Sequence, residues 1–395
     1  MPDSRKRIVF LCGLGDGGME IALVRLMQEL DYDRVSVTLL TPERKGPLLG
    51  MLPEQVTVRH CHFTSEFAYS IGVNDFSRCN QAQRAFYRFG RKLLTLASDE
   101  RRNLVYDYAC SHIDDLPKDH FDAVLDFRGY GSLTTTIGSH LDADFHAVWM
   151  HDERMEWLPL AMPYLSAYDK VFCVSESVKR RFDELAPSHA GNAEVLYNVL
   201  DADAIRREAL QPVADDFAQH RNKLVTLGRL LPQKGIDIAV ETAARLRDRG
   251  MDFIWLVLGE GEQRAELETM IHTYGLEHNF ILKGRVGNPY PYIKAADVYV
   301  QPSRYEGYSL ALQEARILGK PIVASDIPSS REQIAEGETG VLVHPDDAAL
   351  AEGIIRLLND ESLRATLSDN LQGERFDYED QVHRLCSLID DAGRV

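Results

Sequence analysis

Short apolar runs of strand length alternate with longer amphipathic stretches from one end of the chain to the other. In the first half the runs are 7–12 (RIVFLC), 35–40 (VSVTLL), 56–60 (VTVRH), 122–127 (DAVLDF), 146–150 (HAVWM), 170–174 (KVFCV) and 193–197 (AEVLY). In the second half they are 223–228 (KLVTLG), 253–259 (FIWLVLG), 279–284 (NFILKG), 297–302 (DVYVQP), 320–325 (KPIVAS) and 339–344 (TGVLVH). Nearly every run is followed by a helical pattern, which predicts parallel strands joined by helical crossovers rather than a sandwich or a bundle. The series restarts after a polar, acidic stretch at 201–221. It therefore predicts an α/β fold of two Rossmann-like, doubly wound parallel-sheet domains, 1–200 and from 201 onward, facing each other across a cleft. Ligand is expected where the strands end at their carboxyl termini.

At 395 residues the chain is long enough for two such cores. It carries 44 Lys and Arg against 61 Asp and Glu, a formal charge of −17. An acidic chain repels a polyanion before contact forms, so nucleic acid is not expected as a partner. Six cysteines lie far apart with no C-x-x-C pair, which predicts reduced thiols and no zinc site. The N-terminal apolar segment IVFLCGL is too short for a signal-peptide core or a membrane span, so a cytoplasmic protein is expected.

The first strand runs into Gly13-Leu14-Gly15-Asp16-Gly17-Gly18 and then a helical pattern. Gly13, Gly15 and Gly18 match G-x-G-x-x-G in the right context for a dinucleotide fingerprint, which admits an NAD-dependent dehydrogenase. That fingerprint also wants an acid closing the second strand to hold ribose hydroxyls. Here the strand ends Leu39-Leu40-Thr41-Pro42, with no acid until Glu43. The turn could equally present helix amides to some other anion, or be a tight turn with no ligand.

The second half holds three further segments. Gly228-Arg229 at a strand end is followed five positions later by Lys234, and a guanidinium fork with a mobile ammonium can neutralise a diphosphate without a metal. Two basic residues in a loop can also be merely solvated. Pro302-Ser303-Arg304-Tyr305-Glu306-Gly307-Tyr308-Ser309-Leu310 is again strand, glycine turn and helix, with Glu314 about 12 Å beyond Glu306 at helical rise. That is too far for two carboxylates flanking one bond, which need about 5 Å. It suits the grasp of two parts of one extended ligand. Gly284-Arg285-Val286 ends a strand where backbone groups could meet a base edge.

With Gly319-Lys320-Pro321-Ile322-Val323-Ala324-Ser325-Asp326, these motifs in this order resemble the family 4 retaining glycosyltransferases of the GT-B fold. Gly17-Gly18-Met19-Glu20 is similar to the family's N-terminal glycine loop, and His151 stands in the place of its donor-facing histidine. The ending 373–395 is similar to the closing helix that returns to the first domain, leaving 201–372 as the nucleotide-sugar domain and 1–200 as the acceptor domain. The resemblance implies transfer of a sugar from a nucleotide-diphosphate sugar, most often a UDP-sugar, to a saccharide or lipid-linked acceptor. It implies that Arg229 and Lys234 bind the diphosphate and stabilise it as it leaves, and that Glu314 holds the ribose. Glu306 would contact the donor sugar, the N–H groups of Gly307, Tyr308, Ser309 and Leu310 the phosphates, and His151 a sugar hydroxyl. Gly15, Gly17 and Gly18 would line the diphosphate from the other domain, with Gly228, Arg285 and Val286 at the nucleotide. The family has no established enzyme nucleophile; the leaving phosphate is thought to deprotonate the acceptor. Tyr308 replaces a frequent Phe and would add a hydroxyl near the sugar, and Asn198-Val199 stands where Asn-Gly is common. A non-catalytic nucleotide-sugar-binding subunit on the same fold is the reading from a different class.

Three Asp-x-Asp triplets, at 31–33, 142–144 and 201–203, could hold a metal in another glycosyltransferase fold, but a chain this acidic contains such triplets by chance. No metal and no cofactor are expected. Residues 76–102 run against the overall charge, with seven Lys or Arg and two acids. Phe86, Phe89, Leu93 and Leu96 follow one helical face and Arg84, Arg88, Arg91 and Lys92 the other. Such a helix can rest on an anionic membrane or receive an anionic lipid-linked acceptor at the inner face of the membrane. The alternative is a helix whose apolar face packs on the core.

Overall fold

The computed structural model describes residues 5–392 apart from 16, 74, 76, 78, 96–98, 130, 131, 214–216, 218–220 and 377, and over 90–95 and 99–104 the course of the backbone alone. The chain divides into two compact units, Met1–Leu200 with Tyr378–Val395, and Asp201–Asp377.

All thirteen apolar runs are strands. The first unit holds β1 (Lys6–Leu11), β2 (Val35–Thr41), β3 (Thr57–His60), β4 (Ala123–Asp126), β5 (His146–Met150), β6 (Lys170–Cys173) and β7 (Ala193–Val195). The second holds β8 (Lys223–Leu227), β9 (Ile254–Leu258), β10 (Phe280–Gly284), β11 (Val298–Gln301), β12 (Ile322–Ser325) and β13 (Val341–Val343). Each set forms one parallel sheet, ordered β3-β2-β1-β4-β5-β6-β7 and β10-β9-β8-β11-β12-β13. Central strands covered on both faces read as continuous apolar runs, which is why all five residues of β9 are buried. Both orders reverse direction once, between β1 and β4 and between β8 and β11. At such a switch point the loops leave a crevice at the carboxyl ends of the strands.

The buried Trp255 indole and Thr226 hydroxyl of the second core are paired. Trp255 donates its indole N–H to Thr226 Oγ1 at 3.0 Å, and that hydroxyl donates to the Val300 carbonyl at 2.7 Å. Arg316 holds Glu374 at 2.7 Å and stacks over Phe376, so the chain stays with the second unit beyond the helix Glu361–Gly373. The last helix, Glu379–Ala392, buries Val382, Leu385 and Ile389 in the first unit. Its Arg384 donates to the Val195 carbonyl at 2.9 Å, and Gln381 accepts the Tyr197 N–H at 3.0 Å.

The basic segment forms a helix at Gln81–Thr95, and at the two described positions of its apolar face the side chains are not packed on the core. Phe86 and Phe89 are 66% and 60% exposed. The half-buried positions are Arg84 and Tyr87, and Tyr87 packs edge-on against Phe67. The side chains of Arg91, Lys92, Leu93 and Leu96 lie outside the described residues. Among the described residues, no helix is long and apolar enough to cross a membrane.

Candidate functional site

In the second unit the loops after β8 and β11 meet at the switch point, and the chain stitches them together. Arg304 donates its backbone N–H to the Gln233 carbonyl at 2.8 Å, and Gln233 Nε2 donates to the Tyr305 carbonyl at 3.1 Å. The Arg304 guanidinium forks onto Asp237 at 2.7 and 2.6 Å and reaches the Pro232 carbonyl at 2.9 Å. Gly235, with φ at +64°, passes so close to β11 that a Cβ there would stand 2.0 Å from the Pro302 carbonyl oxygen.

This stitching places Lys234 Nζ 2.6 Å from Glu306 Oε1, so the stretches 228–234 and 302–314 do converge. Glu306 is almost wholly buried and takes further hydrogen bonds from Ser303 Oγ at 2.7 Å, Gln301 Nε2 at 3.2 Å and Gln233 Nε2 at 3.4 Å. Lys234 keeps two of its three donor hydrogens for another acceptor. Arg229 is exposed at the end of β8 and, among the described residues, forms no ion pair. The helix Leu310–Ile317 opens just beyond Glu306, with Ser309 as its cap accepting the Leu312 N–H. Gly307, Tyr308, Ser309 and Leu310 therefore form the positive end of a helix, where amide hydrogens point along its axis. Glu314 is buried in the second turn of that helix, nearer its start than the two turns expected, and Tyr290 donates its hydroxyl to Glu314 at 3.0 Å. The Tyr308 hydroxyl accepts from Gln313 Nε2 at 3.0 Å.

Glycines line the ends of β8, β9 and β10 as well. A Cβ at Gly259 would lie 1.9 Å from the Gly228 carbonyl, and one at Gly261 2.3 Å from the Leu230 carbonyl. Gly259 N–H donates to Gly284 at 2.9 Å. Arg285 and Val286 follow Gly284 at the edge strand, two strands away from Gly228. The sequence reading missed Gly259-Glu260-Gly261, although a G-x-G at a strand end was its signal. It gave no role to Gln233, Gln301, Ser303 or Tyr290, although Ser303 stood in its Pro302–Leu310 motif and Gln301 was visible as an amide inside an apolar strand.

In the first unit the glycine turn is filled by the chain's own side chains. Arg128 forms an ion pair with Glu43, and a Cβ at Gly13 would stand 2.1 Å from the Arg128 guanidinium and 2.7 Å from the Glu43 carboxylate. Glu43 also accepts the Leu14 N–H at 2.6 Å. This pair lies against Gly13, and Glu43 is engaged by Arg128 and Leu14 rather than turned toward a ribose. The dinucleotide reading is therefore not supported. Over Gly15 stands the Glu20 carboxylate, and Gly17 caps the helix that starts at Gly18. Asp126, at the end of β4, accepts from Thr135 Oγ1 at 2.7 Å and Gly129 N–H at 3.2 Å, and burial pushes its carboxyl up to about 6.

His151 follows β5 and bonds through Nε2 to the Phe127 carbonyl. That contact makes Nε2 the donor and leaves Nδ1 as the acceptor nitrogen of a neutral ring. Burial lowers His151 from 6.5 to about 4. The folded chain thus resists protonation that the unfolded chain accepts, and stability falls as pH drops from 6.5 toward 4, by up to about 3 kcal/mol. Urea midpoints at pH 7.5 and 5.0 should differ less in His151→Gln than in the wild-type protein. Equal differences would show that the ring does not set the acid limb.

The Asp-x-Asp triplets have structural uses. Asp31 accepts the Asp33 N–H, Asp201 caps the helix Ala202–Glu208, and Asp142 and Asp144 flank His120.

Residues 211–373 match the family described as glycosyl transferases group 1. That match lies within the second unit, Asp201–Asp377. Among curated proteins the chain is 31% identical to alpha-D-kanosaminyltransferase of Streptomyces kanamyceticus over 36% of this chain and 38% of that one. It is 29% identical to the N-acetylgalactosamine-N,N'-diacetylbacillosaminyl-diphospho-undecaprenol 4-alpha-N-acetylgalactosaminyltransferase of Campylobacter jejuni, over 50% and 53%. The matched stretches thus span about half or less of these relatives. Among solved structures, Anabaena Alr3699/HepE in complex with UDP-glucose aligns over 98% of this chain and 99% of that one, at TM-score 0.72 and 19% identity. WaaG, a glycosyltransferase involved in lipopolysaccharide biosynthesis, aligns over 97% and 99% at TM-score 0.67 and 14% identity. These likenesses bear on the fold: two Rossmann-like parallel-sheet domains of the kind found in GT-B glycosyltransferases.

Proposed function

We propose that the protein is a retaining glycosyltransferase that moves a sugar from a nucleotide-diphosphate sugar, a UDP-sugar, to a saccharide or lipid-linked acceptor without a metal ion. The observation that carries this reading is the Lys234–Glu306 contact, with the exposed Arg229 in the loop after β8 and a helix N-terminus in the loop after β11, a set of groups that suits a diphosphate. In the reaction the bond from the anomeric carbon to the phosphate oxygen breaks. The acceptor oxygen bonds to that carbon on the same face, and its proton passes to the departing phosphate. Arg229, Lys234 and the amides of Gly307 to Leu310 stabilise the negative charge that develops on the leaving group. Glu314 takes the ribose hydroxyls, Glu306 a sugar hydroxyl, and His151 offers Nδ1 to another. The UDP choice is supported by the UDP-glucose bound in the Anabaena neighbour. The lipid-linked acceptor is supported by the diphospho-undecaprenol in the Campylobacter relative's name. Retention is supported by both curated names, which specify α-linked transfer, because common hexose nucleotides are themselves α-anomers.

Slow hydrolysis of UDP-glucose and UDP-N-acetylglucosamine tests this without knowledge of the acceptor. UDP release that persists in EDTA is expected. Release lost to EDTA and restored by manganese would overturn metal independence, and UDP binding with no release from any sugar nucleotide would leave a binding subunit instead.

The helix Gln81–Thr95 supports a peripheral contact with anionic membrane, since it exposes two phenylalanines within a basic segment. The protein should sediment with phosphatidylglycerol vesicles, and Phe86→Ser/Phe89→Ser should reduce the bound fraction severalfold. Equal sedimentation of the two would remove the contact.

A further inference from the structure

β11 alternates two faces. Val298 and Val300 join the apolar core, while Tyr299 and Gln301 point the other way. Gln301 is 1% exposed, and an amide buried there needs hydrogen-bond partners that an apolar side chain would not. Its hydrogen bonds have one direction. Tyr299 donates its hydroxyl to Gln301 Oε1 at 2.7 Å, which turns the amide nitrogen toward Ser303 Oγ at 2.7 Å and Glu306 Oε1 at 3.2 Å. With its oxygen accepting from Gln301, Ser303 gives its own hydrogen to Glu306 Oε1 at 2.7 Å. Lys234 completes the set at 2.6 Å. Three donors thus converge on Oε1, whereas among the described residues Oε2 receives only the Gln233 amide at 3.4 Å.

We infer that Gln301 is a positioning residue that fixes Glu306 in one rotamer, with Oε1 saturated and Oε2 kept for a hydroxyl of the bound sugar. The inference rests on the donor-site reading above and adds to it the element that sets the carboxylate's aim. A relay of this kind is worth more than its pairs taken singly, because each bond orients the next. A carboxylate displaced by about 1 Å loses on the order of 100-fold in a positioned reaction.

The test compares wild type, Gln301→Leu, Glu306→Gln and the double variant for UDP affinity by calorimetry and for UDP-glucose hydrolysis per folded molecule. Gln301→Leu should keep UDP affinity within about twofold and lose about 10- to 100-fold in turnover. The double variant should be no slower than Glu306→Gln alone, since the relay acts only through that carboxylate. Gln301→Met and Ser303→Ala repeat the test should the leucine variant fold poorly. Wild-type turnover in Gln301→Leu, or losses that multiply in the double variant, would overturn the role. A wild-type protein that binds no UDP and hydrolyses no sugar nucleotide would instead defeat the donor-site reading, and the relay with it.

Discussion

Lys234→Ala is expected to lower sugar-nucleotide turnover about 30- to 1,000-fold, about 2 to 4 kcal/mol of transition-state stabilisation, and to destabilise the fold as well. Both effects have one source. Lys234 is the cation beside a carboxylate that is 7% exposed, and its removal leaves that charge buried without a counter-ion. Breaking such a pair costs about 3 to 5 kcal/mol where nothing else satisfies the carboxylate. Here Ser303, Gln301 and Gln233 still donate to it, so the lower end of that range is expected. The two effects separate in a second variant. Lys234→Ala/Glu306→Gln removes the stranded charge and should recover most of the urea midpoint, while turnover stays low because the diphosphate has lost its ammonium. Near-normal hydrolysis of UDP-glucose by Lys234→Ala would remove Lys234 from the site, whatever the stability.

What the sequence could and could not reveal follows the range of the interactions. Strands such as Ile254–Leu258 were legible because burial on both faces of a parallel sheet forces a run of apolar residues, a local signal. The crevice between β8 and β11 was legible for a similar reason: Gly228, Arg229 and Lys234, and Glu306 to Leu310, each lie within one short stretch. What stayed hidden was how groups far apart in the chain pair. Gly13 matched a dinucleotide pattern letter for letter, yet what lies against it is the pair of Arg128 and Glu43, 85 positions apart, which no local motif could report. For the helix Gln81–Thr95 the periodicity was real, but periodicity identifies an apolar face without saying whether anything covers it. The exposure of Phe86 and Phe89 is a tertiary fact.

Gly235→Ala should separate the shape of the donor crevice from its charge, since it alters no charged group. Two costs are added. The residue sits at φ +64°, where a side chain costs about 1 to 2 kcal/mol, and the new Cβ would lie 2.0 Å from the Pro302 carbonyl, far inside contact distance. Backbone cannot yield as a flexible side chain does, so the 232–237 loop must move off the end of β11 by an ångström or more. That shift pulls directly on the bonds from Arg304 to Pro232 and Asp237 and on the approach of Lys234 to Glu306. The expected result is a stability loss of roughly 2 to 4 kcal/mol together with a fall of about 100-fold in UDP-glucose hydrolysis. Gly250→Ala supplies the control. Gly250 has φ +73°, but its added Cβ would meet nothing within 4 Å, so that variant carries the backbone strain alone. It should lose about 1 to 2 kcal/mol with normal turnover. Equal stability losses in the two variants would mean that the Gly235 contact with Pro302 contributes nothing. Full turnover in Gly235→Ala would mean that the crevice does not depend on the close approach of these two loops.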